Sequence, residues 1–599
     1  MLTLYVFLNF NFLGIRIINV QIFFRLVISI LPISFFLTNS SIAEELNVVV
    51  TAHPLATKAG KLILKSGGNA IDAAVAVQST LSLVEPQSSG LGGGGFLMFF
   101  SSKDKKLYSL DGREVAPKRA KPDTFSKFTG SRDAFYKAVI SPLSVGVPGI
   151  PLLLEEAHNK FGSLPWQRLF EYPISLARDG FKISPRLHSL ISRDKFLNLN
   201  KTSGRYFFNN INNKLVPKKI GAVLKNKAYQ RSLEIIAKKK PSDVFYNGII
   251  TREILKDLEE SSSETLLEMA DFKAYTVKVR DPICGYYRKY KVCSMGPPSS
   301  GGIALIQILG IIQEFKTTLL KNSPVNTVHL LSEATKVAFA DRSVYVGDPD
   351  FVDVPIEKLL KKEYLRKRAK KISIQHANPQ VLPATFEKNR SKNIDISLPS
   401  TSHFVIYDRF GNAVSMTSSV ESAFGSRIMS SGMLMNNQLT DFSFKPDGVN
   451  RNYLANSVEP GKRPMSSMTP TIIFDSENRL YALLGSPGGK AIISFVAQSI
   501  IHLIDWELSL QESINYPRAV TINQRLILEK GPILDNLINP LKEKGHRKIF
   551  SRPIFSGIHG IKFLRKGDNL EFEVGIDPRR EGTAEIFPTA KNHAKISHY

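Results

Sequence analysis

Apolar residues recur with two different spacings along this chain, and the change of spacing divides it into a mainly helical part and a part rich in strands. As far as about residue 342, the three-to-four-residue spacing of helices predominates, and it predicts helices at 54–65, 69–83, 152–161, 303–315 and 325–342. Strands are predicted among them at 46–50, 96–100 and 108–110, with a hairpin at 281–295. From residue 401, short apolar runs predict strands at 405–407, 413–417, 433–435, 471–474 and 481–484, then a helix at 491–504. Strands and helices do not alternate regularly, so we expect an α+β fold with two sheets covered by helices.

The glycine-rich stretch at 90–95 follows a predicted helix and precedes a predicted strand. A dinucleotide-binding loop needs the opposite order, in which a strand leads through the glycines into a helix. We therefore reject dinucleotide binding here. The absence of side chains instead predicts close packing of the backbone near a functional site.

Two polar stretches interrupt the apolar pattern. Residues 198–213 are rich in asparagine and are predicted to form a loop. Residues 364–400 are basic, then polar, with few apolar residues, and we interpret them as a mobile linker that ends at Ser400.

Residues 1–43 have the form of a secretory signal peptide. Arg16 and Arg25 precede an apolar run at 26–37, and Ser41 and Ala43 occupy the small positions before a cleavage point. The run is shorter than the ~20 residues that span a membrane comfortably. We predict export to the periplasm or the medium, with cleavage after Ala43. An uncleaved membrane anchor is the alternative, because residues 1–20 are also rather apolar.

The charge balance is strongly basic in an otherwise ordinary globular composition. The 599 residues carry a formal net charge of +26, with 43% hydrophobic and 22% charged residues. The lysines are scattered, and no basic segment is interleaved with aromatic residues in the manner of RNA-binding motifs. We therefore predict no nucleic-acid partner, although a loose attraction to anionic membrane surfaces stays open.

The two cysteines, Cys284 and Cys293, flank the predicted hairpin. Their spacing excludes a CxxC metal pair. A disulfide between them is sterically feasible, but we expect two buried free thiols.

A cluster of hydroxyl residues, Ser400, Thr401 and Ser402, lies just before the strand at 405–407. By itself it is typical of a polar loop that caps a strand. It would carry chemistry if the chain were cut before Thr401. The α-amine of an N-terminal threonine titrates near ~8 and can act as the base for its own hydroxyl, so no His or Asp partner is needed. In the precursor, the Thr401 hydroxyl would attack the Ser400 carbonyl, and hydrolysis of the resulting ester would free the new terminus.

Several sequence strings occur in an order that resembles the γ-glutamyltranspeptidase family of N-terminal-nucleophile hydrolases, from about residue 47 to about residue 584. The strings are Gly67-Gly68-Asn69-Ala70-Ile71-Asp72-Ala73-Ala74, Val84-Glu85-Pro86-Gln87, Gly90-Leu91-Gly92-Gly93-Gly94-Gly95-Phe96, Asp111-Gly112-Arg113-Glu114, Pro297-Pro298-Ser299-Ser300-Gly301-Gly302, the Thr401 stretch, Asn436-Asn437-Gln438 with Asp441-Phe442, Lys462-Arg463-Pro464-Met465-Ser466-Ser467-Met468, Gly485-Ser486-Pro487-Gly488-Gly489 and Asp577-Pro578-Arg579. Each string is modestly specific, and their order along one chain is highly specific.

The resemblance implies a four-layer αββα sandwich, the Ntn-hydrolase fold, formed jointly by two autoproteolytic subunits. These would be a large subunit at 44–400 and a small catalytic subunit at 401–599, paired as a heterodimer. It also implies acyl transfer from glutathione and other γ-glutamyl compounds, through an ester on Thr401, to water or to the amine of an amino acid or dipeptide. No metal or organic cofactor is implied.

The resemblance also assigns roles to a binding pocket for the glutamyl group. Arg113, with the hydroxyls of Ser466 and Ser467, would bind the α-carboxylate, and a guanidinium suits this because it can pair with both oxygens. Asp441, with Gln438 beside it, would hold the α-ammonium. Each of these residue types alone would more often be a turn residue or a surface ion-pair partner.

The resemblance places the catalytic donors on both sides of Thr401. Gly488 and Gly489 would form the oxyanion hole, because backbone N–H groups at a helix start can reach the tetrahedral oxygen. Ser419 would orient the nucleophile. Glu421 departs from the family pattern, in which we expect asparagine, and its negative charge would either strengthen amine binding or shift the choice of substrate. The segment 443–461 also looks shorter than the lid loop of some members.

Two alternatives stay open from the sequence. The first is a cephalosporin or glutaryl acylase on the same scaffold, which would accept a side chain without the α-ammonium. Glu421 and the short 443–461 segment favour it weakly. Arg113, Gln438, Asp441 and the serine pair Ser466 and Ser467 oppose it. The second is an exported binding protein that never cleaves itself, which would have no use for a threonine at a cleavable strand start.

Overall fold

The computed structural model describes residues 45–386, 400–445, 454–567 and 569–588. The predicted signal peptide, the last part of the predicted linker and the middle of the 443–461 segment lie outside the described residues. Within these ranges, no helix combines the length and the apolar character needed to cross a membrane.

Most of the predicted strands and helices form, and the structure adds others. The strands are β1 Leu46–Thr51, β2 Gly94–Ser101, β3 Lys106–Gly112, β4 Phe181–Lys182, β5 Phe208–Ile211, β6 Lys214–Pro217, β7 Val223–Leu224, β8 Lys278–Arg280, β9 Ile283–Tyr287, β10 Tyr290–Ser294, β11 Ser400–Tyr407, β12 Ala413–Glu421, β13 Met429–Ser430, β14 Met433–Leu434, β15 Thr471–Phe474, β16 Leu480–Gly485, β17 Ala519–Ile522, β18 Arg525–Glu529, β19 Ile549–Arg552, β20 His559–Lys566, β21 Asn569–Ile576 and β22 Thr583–Pro588. The helices are α1 Pro54–Lys65, α2 Ala70–Val84, α3 Arg132–Val139, α4 Ile150–Phe161, α5 Glu171–Asp179, α6 Pro185–Arg193, α7 Lys201–Phe207, α8 Lys227–Val244, α9 Ile249–Ser261, α10 Met269–Ala274, α11 Gly301–Ile312, α12 Thr317–Lys321, α13 Pro324–Tyr345, α14 Ile356–Leu360, α15 Lys362–Ala369, α16 Ala491–Ile504, α17 Leu510–Asn515, α18 Pro532–Asp535 and α19 Ile538–Glu543.

Two antiparallel sheets form the centre of the protein. The first has seven strands in the order β22-β1-β11-β12-β2-β3-β8, and the second has six in the order β21-β20-β16-β15-β10-β9. Strands β11 and β12 of the first sheet contact β16 and β20 of the second. The side chains of β1 alternate between two cores, because successive residues of a strand point to opposite faces. Val48 and Val50 belong to the core shared with the second sheet, and Val49 belongs to the core under α1 and α2.

Helices cover both sheets. Helix α2 is buried along its whole length, and its start is fixed by a capping box in which Asn69 and Asp72 bond to each other's backbone N–H groups. It contacts β11 and β12, whereas α11 and α16 contact the second sheet. The α+β class predicted from the sequence is therefore confirmed, and β11, the strand that contains Thr401, is near the middle of the first sheet.

The prediction of a loop over the Asn-rich stretch 198–213 was wrong. Asn200 caps α7 by accepting hydrogen bonds from the amides of Thr202 and Ser203. Strands β5 and β6 then pair through a turn in which Asn212 and Asn213 both have positive φ. Asparagine favours caps and left-handed turns, so its abundance marks the ends of short elements here.

The prediction of a mobile linker was also wrong for residues 364–386. Helix α15 includes the first part of this segment, and the following residues are held by side chains of α13. The Tyr345 hydroxyl donates to the carbonyl of Ala384, and the Asp341 carboxylate accepts from the Ala384 amide. Polar residues in this segment bond to the helix they cross, so low hydrophobicity did not indicate disorder. At its other end, Ser400 and Thr401 belong to β11, not to a loop before it.

Free thiols were predicted wrongly as well, since Cys284 and Cys293 form a disulfide. The two residues are directly opposite each other in the β9–β10 hairpin. Their Cα atoms are 4.1 Å apart, so the two sulfur atoms are within reach of each other.

Candidate active site

Thr401 is buried in β11 at an irregularity of the sheet. Ser400 pairs with Glu421 of β12 and Ser402 pairs with Ser418, so Thr401 faces a stretch with one extra residue. Such a bulge re-aims side chains and is common next to active sites. Glu421 has φ +80°, which ends the regular strand there. The bulge thus places the Ser419 side chain beside Thr401.

The glycines after α2 bring this part of β12 close to its neighbours. A Cβ atom at Gly93 would lie 2.1 Å from the carbonyl oxygen of Ser419, and one at Gly95 would lie 2.8 Å from that of Thr417. No side chain fits at these distances. The predicted role of the glycine run in close backbone packing near the site is confirmed.

The hydroxyls of Thr401 and Ser419 surround the carbonyl of Ser400. The Thr401 Oγ1 lies 2.6 Å from the Ser400 carbonyl oxygen and 3.2 Å from the Ser419 Oγ. The Ser419 Oγ lies 2.6 Å from the same carbonyl oxygen and accepts a hydrogen bond from the Glu421 amide. Two hydroxyl hydrogens serve these three contacts, and in one arrangement Thr401 donates to Ser419 while Ser419 donates to the carbonyl. This arrangement polarises the Ser400 carbonyl and aligns Thr401 next to it.

Removal of the Ser419 hydroxyl is therefore expected to slow cleavage of the Ser400–Thr401 bond. Ser419→Ala deletes the donor to the oxygen that becomes negative during attack, and loss of one such donor typically costs about 10²–10³ in rate. The fraction of cut chain can be followed over time by denaturing gel electrophoresis. Ser418→Ala is the matched control, because Ser418 Oγ bonds to Gln78 instead. Equal cleavage rates for the two variants would refute this role of Ser419.

A cleft of about 410 Å³ opens at Thr401 and contains most of the predicted substrate-binding residues. It is lined by Arg113, Arg342, Thr401, Ser419, Glu421, Gln438, Asp441, Met465, Ser466, Ser467, Met468, Gly489, Lys490 and Ile492. The structure thus brings together every residue predicted for the site except Gly488, which precedes Gly489 in the chain, and Ser400, the residue on the other side of the cleavage point.

Arg113 follows β3 and forms one wall of this cleft. Only 1% of it is exposed, so the guanidinium must be satisfied by the protein or by a ligand. Nε donates to the carbonyl of Pro464, and Nη2 donates both to the carbonyl of Met465 and to Asp441 Oδ2 at 2.7 Å. These bonds fix the guanidinium against the segment that contains Ser466 and Ser467.

Asp441 ends a short 3₁₀ helix, Gln438–Asp441. Its Oδ2 accepts from Arg113 Nη2 and, at 2.6 Å, from Gln438 Nε2. The predicted pair of charges for an amino-acid head group is therefore present, with the cationic and anionic members in contact. A bound α-ammonium and α-carboxylate could insert into this pairing with opposite charges matched.

Glu114 is a buried carboxyl group beside Arg113 that the sequence did not single out. Burial raises the pKa of Glu114 to about 8, although the nearby Arg113 guanidinium opposes the shift. Its Oε2 is 3.8 Å from Arg113 Nη1, and neither of its carboxyl oxygens has a hydrogen-bond partner among the described residues. The raised pKa of Glu114 favours its neutral form at pH 7, and in that form it does not offset the charge of Arg113.

Raising the pH through the pKa of Glu114 should weaken substrate binding. The folded protein keeps the Glu114 proton up to about pH 8, whereas the unfolded chain loses it near pH 4.5. The contribution of Glu114 to the free energy of unfolding therefore falls as the pH rises through that window. Above pH 8, the carboxylate competes with substrate for Arg113. We expect KM for a γ-glutamyl donor in hydrolysis to rise about tenfold between pH 7 and pH 9. Glu114→Gln should remove most of this rise, and parallel profiles for the two proteins would count against it.

The hydroxyl groups of Ser466 and Ser467 each accept one hydrogen bond from the protein. The amide of Met468 donates to Ser466 Oγ, and Arg342 Nη2 donates to Ser467 Oγ, each at 3.1 Å. A serine hydroxyl that accepts from the protein keeps its hydrogen for another acceptor. Both serines are therefore suited to donate to an anionic group in the cleft.

Gly488 and Gly489 connect β16 to α16. Their φ values of +139° and +58° lie in the region that favours glycine. No hydrogen bond among the described residues uses the amide of either glycine. These amides, at the positive end of α16, are suited to stabilise an oxyanion next to Thr401.

Glu421 lies in the cleft at the end of β12. Its Oε2 accepts from Asn437 Nδ2 at 2.6 Å, which fixes the carboxyl group by a side chain from the predicted Asn-Asn-Gln string. The departure from the expected asparagine therefore adds an anionic group to the cleft.

Sequence reasoning missed three charged residues of the site, Glu114, Arg342 and Lys490. Arg342 is in the last turn of the predicted helix α13, and Lys490 directly follows Gly489. The available signals were a basic residue at the end of a predicted helix and one next to the predicted oxyanion-hole glycines. Contacts to residues far along the chain were needed to interpret it.

One group of side chains outside the cleft has the composition of a metal site. His329, Glu333 and His546 place ligand atoms within 4.8 Å of one another. However, the Glu333 carboxylate accepts from Lys336 and Asn378, and His329 bonds to His546 and to the Ser373 carbonyl. These groups form a closed network that anchors residues 373–378, and a divalent ion beside the Lys336 ammonium would lack charge compensation.

Comparisons with known proteins agree with this geometry. The sequence model of the gamma-glutamyltranspeptidase family matches residues 56–587. The chain is 35% identical to the glutathione hydrolase proenzyme of Bacillus subtilis (strain 168), over 90% of this chain and 91% of that protein. It is 37% identical to the glutathione hydrolase proenzyme of Escherichia coli (strain K12), over 89% and 90%. A crystal structure of cephalosporin acylase from Bacillus halodurans superposes with a TM-score of 0.76 at 25% identity, covering 90% of this chain and 96% of that one. The protein is therefore a member of the γ-glutamyltranspeptidase family.

Proposed function

We propose that this protein is a glutathione hydrolase and γ-glutamyltransferase that creates its own nucleophile by cutting the Ser400–Thr401 bond. The observation that carries the proposal is the position of the Thr401 hydroxyl, 2.6 Å from the Ser400 carbonyl oxygen, in a cleft that also holds Arg113 and Asp441. The large subunit would be 44–400 and the small subunit 401–599. Glutathione-type substrates and a processed two-subunit enzyme are supported by the relatives named glutathione hydrolase proenzyme.

Cleavage starts with attack of the Thr401 Oγ1 on the Ser400 carbonyl carbon. The Thr401 proton passes to Ser419, and Ser419 gives its own proton to the carbonyl oxygen. As this tetrahedral intermediate collapses, that proton moves from the oxygen to the Thr401 nitrogen, the C–N bond breaks, and an ester joins Ser400 to the Thr401 oxygen. Water hydrolyses the ester and releases Thr401 with a free α-amine.

Turnover uses the same hydroxyl with a different base. The α-amine of Thr401 accepts the Oγ1 proton as the oxygen attacks the γ-glutamyl carbonyl. The amides of Gly488 and Gly489 stabilise the oxyanion, and the leaving amine departs after protonation. Water or the amine of an amino acid or dipeptide then attacks the γ-glutamyl ester, giving hydrolysis or transfer.

The fold and the location are part of the same proposal. The two contacting sheets with helices packed on each of them support the four-layer αββα arrangement of Ntn hydrolases. The secretory pattern at 1–43 supports export to the periplasm or the medium. The Cys284–Cys293 disulfide also supports export, since disulfides persist in oxidising compartments.

A cephalosporin or glutaryl acylase is the second candidate, favoured by the structural likeness to a cephalosporin acylase. An acylase acting on a glutaryl side chain has no ammonium to bind. Asp441, held in the cleft by Arg113 and Gln438, would then have no role in selecting the substrate, whereas the α-ammonium of a γ-glutamyl group brings it an opposite charge. The geometry around Asp441 therefore favours γ-glutamyl substrates.

The test is to purify the protein, measure its intact mass and sequence the N-terminus of each fragment. Two associated fragments, the second beginning Thr401-Ser402-His403, are expected. Hydrolysis of γ-glutamyl anilide should then greatly exceed that of glutaryl anilide. A chain that stays uncut after long incubation would refute self-processing, and preference for the glutaryl donor would identify an acylase.

A further inference from the structure

Arg113 has few N–H groups left for a substrate carboxylate. A guanidinium has five N–H donors. Nε and Nη2 of Arg113 already bond to the carbonyls of Pro464 and Met465 and to Asp441. The remaining donor group, Nη1, lies on the side of Glu114. Arg113 alone would therefore bind a carboxylate through Nη1 only. It could not form the stronger bidentate pair that uses two nitrogens of the guanidinium.

A second guanidinium, that of Arg342, lines the same cleft. Arg342 comes from the last turn of α13, where its charge is favourable near the negative end of the helix dipole. It is 5% exposed and lines the cleft together with Arg113. The ring of Phe339, one turn earlier, lies 5.5 Å from its guanidinium carbon.

Arg342 is bonded to the segment that holds the two substrate-binding serines. Its Nη2 donates to Ser467 Oγ at 3.1 Å and its Nε donates to Ser300 Oγ at 2.7 Å. The Ser300 hydroxyl in turn donates to the carbonyl of Ser466 at 2.7 Å, and the Ser300 amide donates to the same carbonyl. One guanidinium thus fixes both serines, directly at Ser467 and through Ser300 at Ser466.

These bonds set the direction of the Ser467 hydroxyl. Because Arg342 occupies an acceptor position of Ser467 Oγ, the hydroxyl hydrogen must point to a different acceptor. A carboxylate in the cleft is such an acceptor. The nearby positive charge also polarises this hydroxyl, since hydrogen bonds to charged groups are stronger than those between neutral groups.

We propose that Arg342 is a positioning residue that makes the site specific for acyl donors with an α-carboxylate, by orienting Ser467 as a donor and by adding a second positive charge to the lining of the cleft. The proposal rests on the γ-glutamyl function proposed above. It predicts that a donor in which the α-carboxylate is replaced by a carboxamide gains little from Arg342.

The experiment compares two donors on wild-type protein, Arg342→Gln and Arg342→Lys. The donors are γ-glutamyl anilide and its α-carboxamide analogue. For the carboxylate donor, Arg342→Gln should raise KM about 10- to 100-fold, the loss expected for a hydrogen bond to a charged group, and should leave kcat within about twofold. For the carboxamide donor, kcat/KM should change less than about threefold. Arg342→Lys keeps the charge but loses the forked geometry, so it should restore part of the KM loss.

A double-mutant cycle tests whether Arg342 acts through Ser467. Ser467→Ala should raise KM for the carboxylate donor, and the double variant should be much less impaired than the product of the two single effects predicts. The rate of chain cleavage and the melting temperature serve as measures of the fold. The conservative Arg342→Lys variant and Ser467→Ala keep the test open if Arg342→Gln does not fold.

The outcomes separate this inference from the proposed function. Wild-type protein that hydrolyses neither donor would overturn the γ-glutamyl function itself. Wild-type protein that hydrolyses the carboxylate donor, with Arg342 variants that lose activity equally on both donors, would overturn only the role of Arg342. Fully multiplicative effects of Arg342→Gln and Ser467→Ala would also overturn it.

Discussion

Replacing Thr401 with alanine is expected to leave one uncut chain with no measurable γ-glutamyl hydrolase activity. The substitution removes the oxygen that attacks the Ser400 carbonyl, and without cleavage the α-amine base is never formed. Loss of the nucleophile in a hydrolase typically lowers kcat by about 10⁴–10⁶-fold. Intact mass reports the cleavage, and release of aniline from γ-glutamyl anilide reports the activity.

Thr401→Ser is the matched control for this prediction. It keeps the hydroxyl and loses only a methyl group, so it should still cut and retain turnover at a reduced rate. If Thr401→Ala were cut between residues 400 and 401, cleavage would come from another group, and the proposed origin of the nucleophile would have to be abandoned.

The second large effect is expected from Asp441→Asn, which removes one charge with little change of shape. Asp441 accepts from Arg113 and Gln438, and it is the predicted partner of the substrate α-ammonium. Loss of one member of a buried charge pair costs about 2–5 kcal/mol. We therefore expect kcat/KM for γ-glutamyl anilide to fall about 30- to 5,000-fold, measured by steady-state hydrolysis.

A glutaryl donor shows whether Asp441→Asn loses activity because α-ammonium binding is lost or because the whole site is damaged. It has no α-ammonium, so Asp441→Asn should change its hydrolysis by less than about tenfold, and the preference between the two donors should narrow or reverse. Equal losses on both donors would show that Asp441 supports the structure of the cleft and does not select the substrate. Cleavage of the chain, which does not involve this pocket in the proposed steps, should proceed in the variant.

Most residues of the site could be predicted from the sequence, but their contacts could not. The order of short strings indicated Arg113, Asp441 and the two serines, and all of them line one cleft. The bond between Arg113 and Asp441 joins residues 328 positions apart, which no local pattern can report. Glu114 was visible beside Arg113 in the sequence, but its raised pKa depends on burial, which only packing determines.

The wrong predictions about the fold also arose because contacts between distant residues are not visible in local sequence patterns. Polar stretches were predicted to be loops because they lack apolar periodicity, yet Asn200 caps a helix and residues 370–386 bond to one. The cysteines were predicted to be free because composition does not reveal strand register. Register in the β9–β10 hairpin places them directly opposite each other. Elements with a strong apolar period, such as α1 and β16, were predicted within one residue at each end.

The order of strands in the first sheet has a consequence for assembly. Strand β1 belongs to the segment before the cleavage point, and it pairs on one side with β11 and on the other with β22, which both follow that point. The second sheet is shared in the same way, with β10 beside β15. After the proposed cleavage, each of the two polypeptides would contribute strands to both sheets. Neither could dissociate without breaking backbone hydrogen bonds between buried strands. The strand pairing, and not the peptide bond between residues 400 and 401, would hold the two polypeptides together. Once unfolded, the cut enzyme would have to reassemble from two separate chains, so its denaturation should be far harder to reverse than that of the uncut precursor.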